Sequence, residues 1–153
     1  MNTKQILAQV AELSKYDRTK SKELGEVFTP PSLIKDMLRQ LPKQVWFDST
    51  KKWFDPCAGK GNFPAYIVHN LMHGLKAEIP NEETRYKHIV ENQLYMGEYQ
   101  LESAQAIERL FNPNGTLQLN LHVGDSLTMP EDFFDLHITE RQFKYPNRCL
   151  SWR

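Results

Sequence analysis

The chain has 153 residues, of which 40% are hydrophobic and 25% charged, the usual balance of a soluble globular domain. That length fits one domain and excludes a large two-domain enzyme. The 19 Lys and Arg residues match the 19 Asp and Glu residues for a formal charge of +0, so no overall positive field draws the chain onto a nucleic acid or an acidic membrane.

Any contact with DNA must then come from a local patch or from another chain. Two cysteines occur, Cys57 in a glycine-rich segment and Cys149 near the end, which argues against a disulfide framework and for a reducing cytosol. The segment beginning Met1-Asn2-Thr3-Lys4 lacks the apolar core of a signal peptide. No apolar run approaches the ~18 residues that span a bilayer. A cytoplasmic protein without a membrane partner is expected.

In chain order, Ile6, Leu7, Val10 and Leu13 recur at helical spacing and predict a short amphipathic helix. Ser14 to Glu26 carries Lys15, Arg18, Lys20 and Lys22 and reads as a solvated linker or a DNA-contacting arm. Thr29-Pro30-Pro31-Ser32 is a helix-start signal, with Thr or Ser as cap and proline in the first turn. Leu33, Ile34, Met37, Leu38 and Leu41 follow at helical spacing. Trp53-Phe54 then runs into Asp55-Pro56-Cys57-Ala58-Gly59-Lys60-Gly61-Asn62-Phe63, after which Pro64 opens a helix and Gly74 ends it. This is a strand, a tight glycine turn and a helix.

A polar helix over 82–92 precedes a strand at Leu94 to Glu98 and a helix from Leu101 to Phe111. Asn112-Pro113-Asn114-Gly115 is a turn. Leu117, Leu119, Leu121 and Val123 alternate with Gln118, Asn120 and His122, which predicts a strand with one wet face near a sheet edge. Phe133 to Ile138 is expected to supply a fourth strand. The alternation of strands and helices implies an α/β fold with an open parallel sheet of about four strands. Three parts follow: a helix and basic linker over 1–23, a ligand-binding domain over 24–138, and an irregular tail over 139–153.

Ligands of such sheets lie beyond the carboxyl ends of the strands. Asp55 with Gly59 and Gly61, Glu98, and Asp125 all fall there. Glycines at 59 and 61 remove Cβ atoms that would keep a ligand from the backbone, and the acids suit hydroxyl or amino groups. Gly59-Lys60 is followed by Gly61 rather than Ser or Thr, which disfavours a phosphate-cradling loop. A dinucleotide fingerprint would want glycine where Pro64 stands and an acid about 20 residues on, much nearer than Glu98. Cys57 reads as a small buried residue, because no nearby His is placed to activate it. His69 and His73 share a helical spacing without a zinc-protease Glu and read as ordinary helix-face residues, so no metal site is expected. Without a ligand, the glycines make a plain strand-to-helix turn, and Asp55 and Asp125 are caps.

Gly25-Glu26-Val27-Phe28-Thr29-Pro30 resembles the segment that precedes the first strand in the N6-adenine DNA methyltransferases of restriction-modification systems. Asp55 to Phe63 is similar to the family's Asp-Pro-x-x-Gly-x-Gly-x-Phe cofactor loop. The resemblance implies a Rossmann-like fold that binds S-adenosylmethionine. Phe28 and Thr29 would line the cofactor, and Asp55, Pro56, Gly59, Gly61 and Phe63 would form the loop around its methionine part. Glu98 would accept bonds from the ribose hydroxyls, and Asp125 would contact the adenine amino group. Tyr66, Tyr86 and Tyr99 read as packing residues, with Tyr99, next to Glu98, the one placed to cover the cofactor adenine.

The resemblance covers roughly 24–136 and ends before the chemistry. In the family, Asn-Pro-Pro-aromatic follows the fourth strand and holds the target amino group and the flipped base. Here Glu140-Arg141-Gln142-Phe143 occupies that place, so no catalytic residue is assigned. The expectation is the cofactor-binding portion of a site-specific adenine methyltransferase, inactive by itself: a truncated or frame-disrupted product, a split subunit or a remnant. DNA contact by this chain alone would be weak or absent, and a homodimer or a complementing catalytic or recognition chain would cover the sheet edge. The alternatives are a non-catalytic cofactor-binding or protein-interaction module and another nucleotide-binding domain.

Overall fold

A computed structural model describes residues 3–16 and 29–135. Its sheet holds three parallel strands, β1 (Trp53–Asp55), β2 (Leu94–Glu98) and β3 (Asn120–Val123), in the order β1-β2-β3. The helices are α1 (Thr3–Tyr16), α2 (Pro31–Arg39), α3 (Asn62–Gly74), α4 (Glu82–His88) and α5 (Leu101–Phe111). Helix α3 lies in the crossover from β1 to β2, and α5 in the crossover from β2 to β3. Right-handed crossovers between successive neighbours place both helices on one face of the sheet.

The strand register agrees with that layering. Trp53 pairs with Leu94, and Met96 with Leu121; Leu94, Met96 and Leu121 belong to the core beneath α3 and α5, and the half-buried Trp53 packs against it. Helix α1 packs onto α3 and α5, burying Ile6 and Val10 to 1% exposure. This supplies the partner for its apolar stripe. Helix α2 and a 3-10 turn, Lys43–Phe47, also pack on α3.

Several expectations change in detail. Helix α2 starts from Pro30 with Pro31 in its first turn and no side-chain cap. The polar helix predicted over 82–92 is α-helical only to His88, and Ile89–Gln93 forms a wider π turn. That turn carries Gln93 inward, where its Nε2 donates to the carbonyls of Asp48 and Lys51, each at 3.0 Å.

The wet face predicted for the third strand is dry. Asn120 and His122 are 1% and 2% exposed. Asn120 Nδ2 donates to the carbonyls of Glu91 and Leu94 at 2.9 Å and of Val90 at 3.3 Å. His122 lies edge-on to Phe133, with ring centres 5.9 Å apart. Both side chains project to the face away from α3 and α5, where Phe133 and Phe134 also pack on Tyr95.

Those two phenylalanines belong to a 3-10 turn, Glu131–Phe134, that begins after Pro130. The fourth strand is therefore not formed at Phe133 and Phe134, and Leu136 to Ile138 lie outside the described residues. Proline fixes the approach to the turn, and burial of Phe133 against the sheet face holds it there. The basic segment at 17–28 and the tail from 136 onward also lie outside the described residues.

If Asn120 serves the carbonyls around Val90 to Leu94, Asn120→Ala should cost about 2 kcal/mol, because buried acceptors lose their donor. A solvated side chain would change stability by less than about 0.5 kcal/mol. Urea unfolding of the two proteins separates these outcomes.

Candidate functional site

The loop after β1 is tied to the end of β2 at two points. Ala58 N–H donates to the Gly97 carbonyl at 2.9 Å, and Gly59 N–H donates to Glu98 Oε2 at 2.8 Å. The other Glu98 oxygen, Oε1, accepts from Gln100 N–H at 2.8 Å. The residue as a whole is 8% exposed. It thus joins the first loop to the start of the segment leading into α5. A carboxylate offers about four acceptor positions, so both oxygens keep capacity for a further donor.

The third strand joins the same junction. Gly124 N–H donates to the Glu98 carbonyl at 2.9 Å, and Ser126 Oγ donates to the Pro56 carbonyl at 2.6 Å. Asp125 is exposed, and its Oδ1 accepts from Leu127 N–H at 2.9 Å, capping a short 3-10 turn. Asp55, Glu98 and Asp125 therefore mark the carboxyl ends of three adjacent strands, with backbone bonds holding the ends together.

The two loop glycines differ in what they do. Gly59 has φ +56°, and a Cβ there would meet nothing within 4 Å. It faces open space, as a ligand crevice needs. Gly61 has φ +90° and precedes the first residue of α3, and a Cβ there would lie 3.0 Å from Leu110 and Phe111. Its missing side chain makes room for α5 as well as for the turn.

Gly97 was not singled out from the sequence. A Cβ there would sit 2.3 Å from Ser126 Oγ and 3.0 Å from the Pro56 carbonyl oxygen. Its sequence signal is a lone glycine within a strand, which marks close approach of another backbone.

Asp55 accepts from Cys57 N–H at 3.1 Å. Burial raises its carboxyl above the ordinary 3.8, the Cys57 bond opposes that rise, and the nearby Glu98 charge adds to it. Cys57 is exposed, contrary to the expectation of a buried residue, and it is the neighbouring Ala58 that is buried where the loop meets β2. Pro56 is exposed and Phe63 is half-buried against the core. Tyr99 is 77% exposed at the rim. Thr29 is half-buried ahead of α2, and Phe28 lies outside the described residues. Among the described residues, no group of three His, Cys, Asp or Glu side chains is placed to hold a metal ion, and no helix is long and apolar enough to cross a membrane.

A parallel sheet carrying a glycine turn and three acids along its carboxyl edge defines a mixed α/β domain compatible with a methyltransferase fold. Residues 3–131 match the N-6 DNA methylase family, and the chain belongs to that family. Over 73 residues, 46% of this chain, it is 38% identical to an uncharacterized adenine-specific methylase of Mycoplasma pneumoniae. The aligned stretch spans 17% of that relative's length.

The raised Asp55 carboxyl has a signed consequence for stability. The native protein holds this proton more tightly than the unfolded chain, so the group favours the fold below 3.8, and that contribution is lost as pH rises through its native value. Asp55→Asn keeps an acceptor for Cys57 N–H and removes the titration. Between about pH 4 and pH 7 the wild type should lose stability relative to the variant. Parallel denaturation midpoints across that range would refute the assignment.

Proposed function

We propose that residues 24–138 form the S-adenosylmethionine-binding portion of a site-specific DNA adenine-N6 methyltransferase. The observation that carries the reading is the Glu98 carboxylate, buried between the Gly59 and Gln100 amides beside a glycine that faces open space. Ribose hydroxyls suit its remaining acceptor positions. Asp55 favours a cationic neighbour, because burial and Glu98 both disfavour its own charge without one. The ammonium and sulfonium groups of the cofactor supply that charge.

Phe28, Thr29, Pro56, Gly61 and Phe63 would complete the methionine side of the site. Tyr99 and Asp125 would serve the adenine from the rim. When bound, the cofactor supplies a methyl group activated on its sulfonium sulfur. The chain's own part is to bind and orient it.

The DNA substrate follows from the family. The 153 residues contain no Asn-Pro-Pro-aromatic segment, and the chain by itself is accordingly inactive on adenine and depends on complementing catalytic parts. That same absence favours, as a second reading, a module that binds the cofactor without transferring its methyl group.

Calorimetric titration with S-adenosylmethionine and S-adenosylhomocysteine should give saturable binding, weakened at least about tenfold in Asp55→Ala and Glu98→Gln, a loss of about 1.4 kcal/mol or more. A folded protein that takes up neither compound, or that prefers NAD or ATP, would sink the proposal. Methyl transfer to adenine by the chain alone would overturn its inactivity.

A further inference from the structure

A concavity of about 580 Å³ lies between α2, the 3-10 turn Lys43–Phe47 and residues 66–74 of α3. That volume is within the range of small-molecule sites, about 300–1,000 Å³. Its lining on α3 starts at Tyr66, five residues or about 7.5 Å along the helix from Gly61, and includes none of the residues 55–61 of the glycine loop.

Its lining is one-sided in charge. Lys35, Arg39, Lys43, His69 and His73 contribute to the wall, and no acidic residue does. The neighbouring Asp36 bonds Arg39 at 2.9 Å, with both side chains largely exposed, a pairing of little energetic weight. Cations at helix carboxyl ends complement the helix dipole, which accounts for Arg39 on α2 and His73 on α3. It does not account for Lys35 and Lys43.

His69 sits 4.6 Å from His73, ring centre to ring centre, and its Nδ1 is buried with no hydrogen-bond partner. Burial first, and then the charges of His73 and Lys35, hold its pKa below the ordinary value. His69 is thus held toward its neutral form, and the positive surplus of the wall is that of Lys35, Arg39 and Lys43, which an anion would relieve.

The remaining wall is largely apolar, with Leu38 and Leu41 beside the rings of Trp46, Phe47 and Tyr66. Trp46 stacks on Trp53 at 4.4 Å and 11°. Its carbonyl rests on Gly74, where a Cβ would come within 2.0 Å of the oxygen. Phe47 is 63% exposed and offers an open ring face, and Lys35 Nζ stands 5.7 Å above the Tyr66 ring. Planar rings beside clustered cations fit a ligand with an aromatic part and a phosphate.

We propose that this concavity binds a nucleoside monophosphate, with the phosphate met by the cationic wall and the base set against the exposed aromatic face. The site is separate from the Glu98 crevice and does not depend on the function proposed for it.

The test is titration of the full chain with adenosine 5′-monophosphate, followed by amide chemical-shift mapping. Saturable shifts at residues 35–47 and 66–74, weakened at least tenfold by Arg39→Ala with Lys43→Ala and severalfold by Phe47→Ala, are the expected result. These side chains are exposed, so circular dichroism should show an unchanged fold. The proposal fails if no saturable shifts occur, if S-adenosylhomocysteine displaces the nucleotide, or if the variants bind as the wild type does. It also fails if inorganic phosphate binds as tightly, because the rings would then contribute nothing, or if only an oligonucleotide binds.

Discussion

The site rests on a buried carboxylate between two backbone amides. Glu98 costs free energy to bury unless its oxygens find donors, and Gly59 and Gln100 provide them. Those donors belong to the loop after β1 and to the entrance of α5. The electrostatic requirement of one side chain therefore fixes two connections that are distant in sequence. Replacing the carboxylate with an apolar group would orphan two amides and let the loop drift from the sheet.

The rest of the architecture serves this junction. Parallel strands bring their carboxyl ends to one edge, and crossovers through α3 and α5 cover one face with the apolar core. The opposite face is closed by an aromatic group from the 3-10 turn at Glu131–Phe134, with Phe133 buried between Tyr95 and His122. Helix α1 adds Ile6 and Val10 to the helical layer and closes α3 and α5 from outside.

Where periodicity and turn chemistry act locally, the sequence was readable. Helix α5, strand β2 and the strand, turn and helix around the glycine loop lie where apolar spacing and glycines predict. What escaped was tertiary. Asn120 reads as solvated because it is polar, yet it serves carbonyls left open by a π turn that no local signal announces. Phe133 and Phe134 read as a strand, but Pro130 and the exposed ring surface of the sheet make them a turn. Gly59 and Gly61 look alike in sequence, and only the open space at the first and α5 against the second distinguish their purposes. For the same reason the three acids could be placed at strand ends from the sequence, whereas the amide pair that holds Glu98 could not.

The crowding at Gly97 bears on how such sequences drift. A side chain there would collide with the serine after β3 and the proline carbonyl after β1 at once. A side chain at position 97 requires Ser126 to move and the Pro56 carbonyl to give way slightly, which couples three segments well apart in the gene. Two positions later, Tyr99 points into solvent and carries no such packing constraint. Packing therefore constrains this one strand end unevenly, tightly at the glycine and not at the rim, where any constraint on Tyr99 would come from a ligand.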